Sequence, residues 1–140
     1  MKTVQCLCVL LLSLCLICLC AHAEDSPEKR AQMAAETWLG QVDVGNDAAS
    51  WRAASPYLQG AVTESAWAES LHGVRTPLGK VLSRTLKSAR HTKAVPGAPD
   101  GHYVVMQFDT SFENKQAAVE TVTFMQEKDG KWKAAGYYIK

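Results

Sequence analysis

The stretch Tyr103-Val104-Val105-Met106-Gln107-Phe108 is dense in the aromatic and β-branched residues that suit a pleated surface, and it sets the reading of the chain around it. On its N-terminal side, Pro96-Gly97-Ala98-Pro99-Asp100-Gly101 separates it from a candidate strand around Arg84 to Lys93. On its C-terminal side, Phe112 to Gln116 separates it from Ala118 to Glu127, and Asp129-Gly130 then turns the chain into Lys131 to Lys140. Four strands in sequence, joined by short turns, make an antiparallel meander.

The residues ahead of the meander follow a helical period. Ser26-Pro27 is a cap with proline at the first helical position, and Ala31, Ala34, Ala35, Trp38 and Val42 recur at helical spacing until Gly45. Asn46 or Asp47 caps a short second helix carrying Trp51, which must end near Ser55-Pro56 because the residue before proline avoids helical angles. Thr63 caps a third, with Trp67 and Leu71 four apart and Gly73 behind; Thr76-Pro77 starts one more turn. Helices first and strands second give an α+β domain, with N-terminal helices packed on a four-stranded antiparallel sheet. The four tryptophans, one on each predicted helix and one at Trp132, are expected to meet in the core.

All five cysteines, Cys6, Cys8, Cys15, Cys18 and Cys20, lie in one apolar run that follows Lys2 and ends Ala21-His22-Ala23. That is the layout of a signal peptide cleaved after Ala23, so the chain is expected to be exported, periplasmic or secreted, with no membrane span after cleavage. The rival reading is a retained anchor, since Val4 to Ala21 is 18 mostly apolar residues. A lipid anchor is disfavoured because Cys18 and Cys20 follow Ile17 and Leu19, not small residues. Residues 24–140 then form a single cysteine-free domain of 117 residues, enough for one core. Without Lys2 the 15 basic residues fall to 14 against 14 acidic ones. Such neutrality argues against a dedicated nucleic-acid binder.

The run Arg75-Thr76-Pro77-Leu78-Gly79, then Ser83-Arg84-Thr85-Leu86, the Pro96 to Val105 segment, Gln107 to Phe112, Asn114-Lys115, Glu120-Thr121-Val122, and Asp129-Gly130-Lys131-Trp132 with Gly136-Tyr137-Tyr138 resembles a family of exported bacterial domains of unknown function, number 4019. The resemblance spans nearly the whole domain, Trp38 and Trp51 included, and brings no established activity and no catalytic residues. The order of helices and meander, ending in a Gly-x-Trp strand, is also similar to the nuclear transport factor 2-like cone fold, which implies a curved sheet wrapped around helices and a pocket between them.

Glu120 leads the candidate site residues. It shares a strand face with Val122 and Phe124, and a carboxyl buried on an apolar face acquires the raised pKa of a general acid or base. The alternatives are an ion pair with Arg84 or Arg75, or a place at the open end of the strand. Tyr138 joins the binding candidates Arg75, Arg84 and Glu120 if the last hairpin turns through three residues with a glycine bulge, which sets Glu120 opposite Tyr138 and Phe124 beside Trp132; a two-residue turn sets Thr121 there instead. The first register is preferred. Tyr137 or Tyr138 then supplies a hydroxyl.

Asp109 ends a strand and reads as a turn residue. His91 and His102 flank the Pro-Gly loop, with Asp100 as a third donor, but match no established metal spacing, so no metal and no cofactor is expected. His72 reads as a helix-end residue. Arg75, Lys80, Arg84, Lys87, Arg90 and Lys93 run without an acid, which reads as a solvated edge strand or a surface for an anionic envelope partner. The function expected is a non-enzymatic module binding a small apolar ligand or an envelope protein. A cofactor-free pocket enzyme using Glu120 and a homodimerisation domain are the alternatives.

Overall fold

A computed structural model describes residues 24–140; the expected signal peptide or anchor falls on residues 1–23, outside the described residues. Four helices, α1 (Pro27–Asp43), α2 (Asp47–Ala53), α3 (Pro56–Ala61) and α4 (Glu64–Leu78), precede four strands, β1 (Val81–Thr92), β2 (Tyr103–Phe112), β3 (Lys115–Gln126) and β4 (Trp132–Ile139). The strands form one antiparallel sheet in the order β1-β2-β3-β4. The chain is therefore the α+β meander that the sequence predicts. Among the described residues no helix is long and apolar enough to cross a membrane.

The helix starts follow the caps. Ser26 Oγ accepts from the Lys29 amide at 3.2 Å ahead of Pro27, Asn46 Oδ1 from Ala49 at 3.3 Å, and Thr63 Oγ1 from Ala66 at 3.2 Å. Ser55-Pro56 does end α2, but the same pair also starts the unanticipated α3, because Ser55 Oγ accepts from the Leu58 amide and proline suits the first helical position.

The fourth helix runs on through Gly73 instead of stopping there. Pro77 falls in its last turn, where only a terminal hydrogen bond is lost, and the stop comes at Gly79. Gly79 has φ 76° and ψ −161°, and a Cβ there would lie 2.7 Å from Glu113 Oε2. Only glycine fits. Glu113 accepts from the Lys80 amide at 2.8 Å and Asn114 Nδ2 donates to the Pro77 carbonyl at 3.0 Å, so the β2–β3 turn is clasped to the end of α4. That turn is tighter than the predicted loop, since Phe112 already pairs with Lys115.

The last hairpin combines the two predicted registers. Near the turn, the Glu127 amide donates to Lys131 and Gly130 has φ 83°, which is the three-residue glycine-bulge turn, and Phe124 pairs with Ala134. Ala135 then bulges out of β4, so Thr123 pairs with Gly136, Thr121 with Tyr138 and Glu120 with Ile139. One extra residue reverses which side chains face inward. The preferred pairing of Glu120 with Tyr138 is thus corrected: Tyr137 turns in, and Tyr138 turns out, 52% exposed.

Helix α1 lays Ala31, Ala35, Trp38, Leu39 and Val42 on the inner face of the sheet, against Val104, Met106, Phe108, Val122, Phe124, Trp132 and Ala134. Trp38 meets Trp67 at 5.9 Å and Phe124 edge-on at 6.0 Å. Their indole N–H groups converge on one residue, as Trp38 donates to the Ser50 carbonyl (2.8 Å) and Trp67 to Ser50 Oγ (2.9 Å). Trp51 sits half-buried at the rim, donating to the Val62 carbonyl. The other three tryptophans are buried as expected.

Candidate functional site

Glu120 is fully buried on the inner face of β3, and four donors surround its carboxylate. Oε2 accepts from Arg84 Nε and from Thr110 Oγ1, both at 2.6 Å; Oε1 accepts from Tyr137 OH at 2.6 Å and from Arg84 Nη2 at 3.1 Å. Each strand contributes one member: Arg84 from β1, Thr110 from β2, Glu120 from β3 and Tyr137 from β4. An ionised carboxylate offers about four lone-pair sites, and here all are occupied.

The helices close the cluster into a ring. Asp43, the last residue of α1, accepts from Arg84 Nη1 at 2.7 Å, from Arg84 Nη2 at 2.9 Å and from Arg75 Nη2 at 2.9 Å. Arg75, from α4, reaches Tyr137 OH at 3.4 Å and lies 5.1 Å over the Phe112 ring. The pairing of Glu120 with Arg84 matches one sequence alternative, whereas Arg75 joins only through Asp43 and Tyr137.

The charges are strongly biased toward their ionised forms. Burial pushes the Asp43 carboxyl up, but Arg84 and then Arg75 outweigh it and hold it below the usual carboxylate range. Burial likewise opposes the Arg84 charge, and Asp43 and Glu120 overcome it, so the guanidinium is held more firmly protonated than usual. Burial, reinforced by the negative charge of Glu120, drives the Tyr137 hydroxyl well above the ordinary tyrosine value. Tyr137 is therefore a fixed donor, suited to holding a carboxylate in place.

Solvent reaches members of the ring from more than one side, Thr110 lining an open groove of about 420 Å³ with Ser83, Asp109 and Lys140. An open cleft of about 410 Å³ beside it is lined by Asp43, Leu71, His72, Arg75, Lys80 and Glu113, and Glu120 does not line it. A second, apolar cleft of about 170 Å³ lies between α4 and β4, lined by Trp67, Leu71, Val74, Tyr137 and Tyr138. Tyr138 thus stands apart from Glu120, Arg84 and Arg75, on the far face of its strand.

The remaining candidates separate. Asp109 is exposed and pairs with Lys87 at 3.3 Å. His72 is inside α4 and not at its end, because the helix continues to Leu78. The acid-free basic run does not form a strip, since Arg75 and Arg84 turn inward to acids while Lys87 meets Asp109. His91 and His102 do come together, with Nε2 and Nδ1 3.0 Å apart, but among the described residues no third His, Cys, Asp or Glu joins them as a metal cluster.

Asp43 and Thr110 escaped the sequence reading, and Tyr137 entered it only as an alternative to Tyr138. For Asp43 a signal existed, because an acid at the C-terminus of a helix opposes the dipole and calls for cations nearby. For Tyr137 there was none, as the Ala135 bulge that turns it inward carries no turn residue.

The family model described as Protein of unknown function (DUF4019) matches residues 34–137, most of the chain and all four strands, and the chain belongs to that family. No curated protein matches it.

Proposed function

We propose that this member of a family of unknown function is exported, released by cleavage after Ala23, and serves in a bacterial envelope as a non-enzymatic binding or accessory domain of the nuclear transport factor 2-like cone type, docking a protein on the outer face of its sheet. The signal-like N-terminus supports export, and the order of four helices and a meander supports the cone type.

The observation that carries the reading is the saturation of Glu120. A general acid or base must reach a substrate proton, directly or through one water, and a fully buried carboxylate that holds four donors and itself lines none of the clefts described offers no direct path. The buried ring is better suited to fixing one strand arrangement, the role for which buried polar groups are best attested. The pocket-enzyme alternative is left without its proton carrier. A small apolar ligand has the α4–β4 cleft, whose 170 Å³ is below the roughly 300–1,000 Å³ of ordinary ligand sites, and a wider, open groove of about 380 Å³ lined by Ala34, Trp38, Phe124 and Trp132.

The outer sheet face is the surface this docking would use. Val105, Gln107, Val119, Thr123 and Met125 alternate with the inward residues of β2 and β3 and are half-buried at most. Its end is closed by Tyr103, whose hydroxyl donates to the Pro99 carbonyl, and by Tyr57, which donates to the Gly97 carbonyl. A homodimer through the same face is the second reading. The apolar side chains Val105, Val119 and Met125 favour it, with Arg90 and Lys133 flanking them on the same face.

Native mass spectrometry of the protein recovered gently from its own cells tests the proposal. The expected species begins at Glu24 and carries a second polypeptide, a partner or another copy, that Thr123→Arg removes. A bare monomer that retains a small molecule would overturn it.

A further inference from the structure

At the opposite end of the inner face from Glu120, His91 of β1 and His102, which precedes β2, meet through their rings. Nε2 of His91 lies 3.0 Å from Nδ1 of His102, the ring planes are within 3° of parallel, and the centroids are 5.2 Å apart. The nitrogens are closer than the faces of stacked rings approach, so the imidazoles meet edge to edge in a hydrogen bond. Such a bond has one nitrogen carrying the proton and one offering its lone pair. The Trp132 ring stands edge-on to His91 at 6.5 Å and 83°. Glu28, in the first turn of α1, has its carboxyl held down chiefly by its own backbone amide against slight burial, with smaller contributions from Ser26 and His91.

We propose that His91 and His102 form a two-imidazole site for a borderline divalent transition cation, Cu²⁺ before Zn²⁺, which takes the place of the shared proton. Imidazole nitrogen suits both ions, and Cu²⁺ stands above Zn²⁺ in the order of affinities for such donors. Metal–nitrogen bonds of about 2.0–2.1 Å at an open angle hold two nitrogens roughly 3 Å apart, so ring rotation, without backbone movement, brings both lone pairs onto one ion. Among the described residues no third side chain completes a cluster, so water fills the remaining positions. The displaced proton moves to the other ring nitrogen of the same imidazole, so both rings stay neutral and each offers a lone pair. The bound ion ties the end of the β1–β2 hairpin and stabilises it by mass action.

The test uses the full chain with its five cysteines alkylated, so that thiols do not compete, titrated with CuCl₂ while tryptophan fluorescence is followed. The expected result is saturable quenching at one ion per chain, reversed by a larger concentration of ZnCl₂. His102→Gln should weaken it at least about 10-fold, the lower end of what disturbing a metal site costs, while His22→Gln and His72→Gln leave it unchanged. An unaltered unfolding midpoint without metal shows that His102→Gln remains folded. Quenching that does not saturate, or that is the same in His102→Gln, overturns the proposal.

Discussion

Arg84 and His91 share the inner side of β1 because the strand bulges at Lys87, which leaves them about 20 Å apart along the ladder, and the fold treats the polar groups around them in opposite ways. Around Arg84, the acceptor oxygens of Glu120 are matched by donors inside the protein and the group is shut away. Around His91, two imidazoles at the surface hydrogen-bond to each other. Burial decides the difference. A carboxylate taken out of water must collect a full set of donors or unfold the site, whereas half-exposed imidazoles can exchange partners with solvent or an ion at little cost.

The largest expected effect breaks the first region. Glu120→Leu leaves Arg84, Thr110 and Tyr137 facing an alkyl group, and removing one partner of a buried ion pair costs about 3–5 kcal/mol, so urea unfolding should shift by a large part of a domain's stability. Ser50→Ala probes the apolar middle of the same face: it strands the buried Trp67 N–H, and the loss should be about 1–3 kcal/mol by the same measurement.

Two pH profiles sharpen the account of the ring. The Asp43 carboxyl is held down by its arginines, so its contribution is present above its unfolded value near pH 4 and is lost as the pH falls further. Asp43→Asn should therefore flatten the acid limb of stability against pH. The Tyr137 hydroxyl is raised, so its contribution is complete below about pH 10 and is lost as the pH rises beyond it. Tyr137→Phe should flatten the alkaline limb. The smallest effect belongs to the far end, where His102→Gln without metal should change stability by no more than about 0.5 kcal/mol, as at an ordinary surface position.

Much of this architecture is legible in the residues. Ser26-Pro27, Thr63 and Asp129-Gly130 announce their elements because capping and turn chemistry are local, and Val104, Met106 and Phe108 give the inner face of β2 through simple alternation. What local rules missed depends on distant partners. The fourth helix passes Gly73 because Leu71 is buried and Arg75 is tied to Asp43, neither of which is visible from the glycine. The Ala135 bulge is set by the ladder to β3, and with it the exchange of Tyr138 for Tyr137 in the ring. Glu120 could be singled out because its neighbours are apolar. Its fourfold satisfaction could not, since Arg84, Thr110 and Tyr137 come from three other strands.

A double-mutant cycle of Glu120→Gln and Arg84→Met, read by urea unfolding, tests most directly whether the ring is a structural lock. The account predicts a clear loss in each single variant and a coupling of about 2–3 kcal/mol between them, near the upper end for residues in one network. Losses that add within about 0.5 kcal/mol, or an unfolding curve for Glu120→Gln that matches the parent, would contradict it and return Glu120 to the candidates for chemistry.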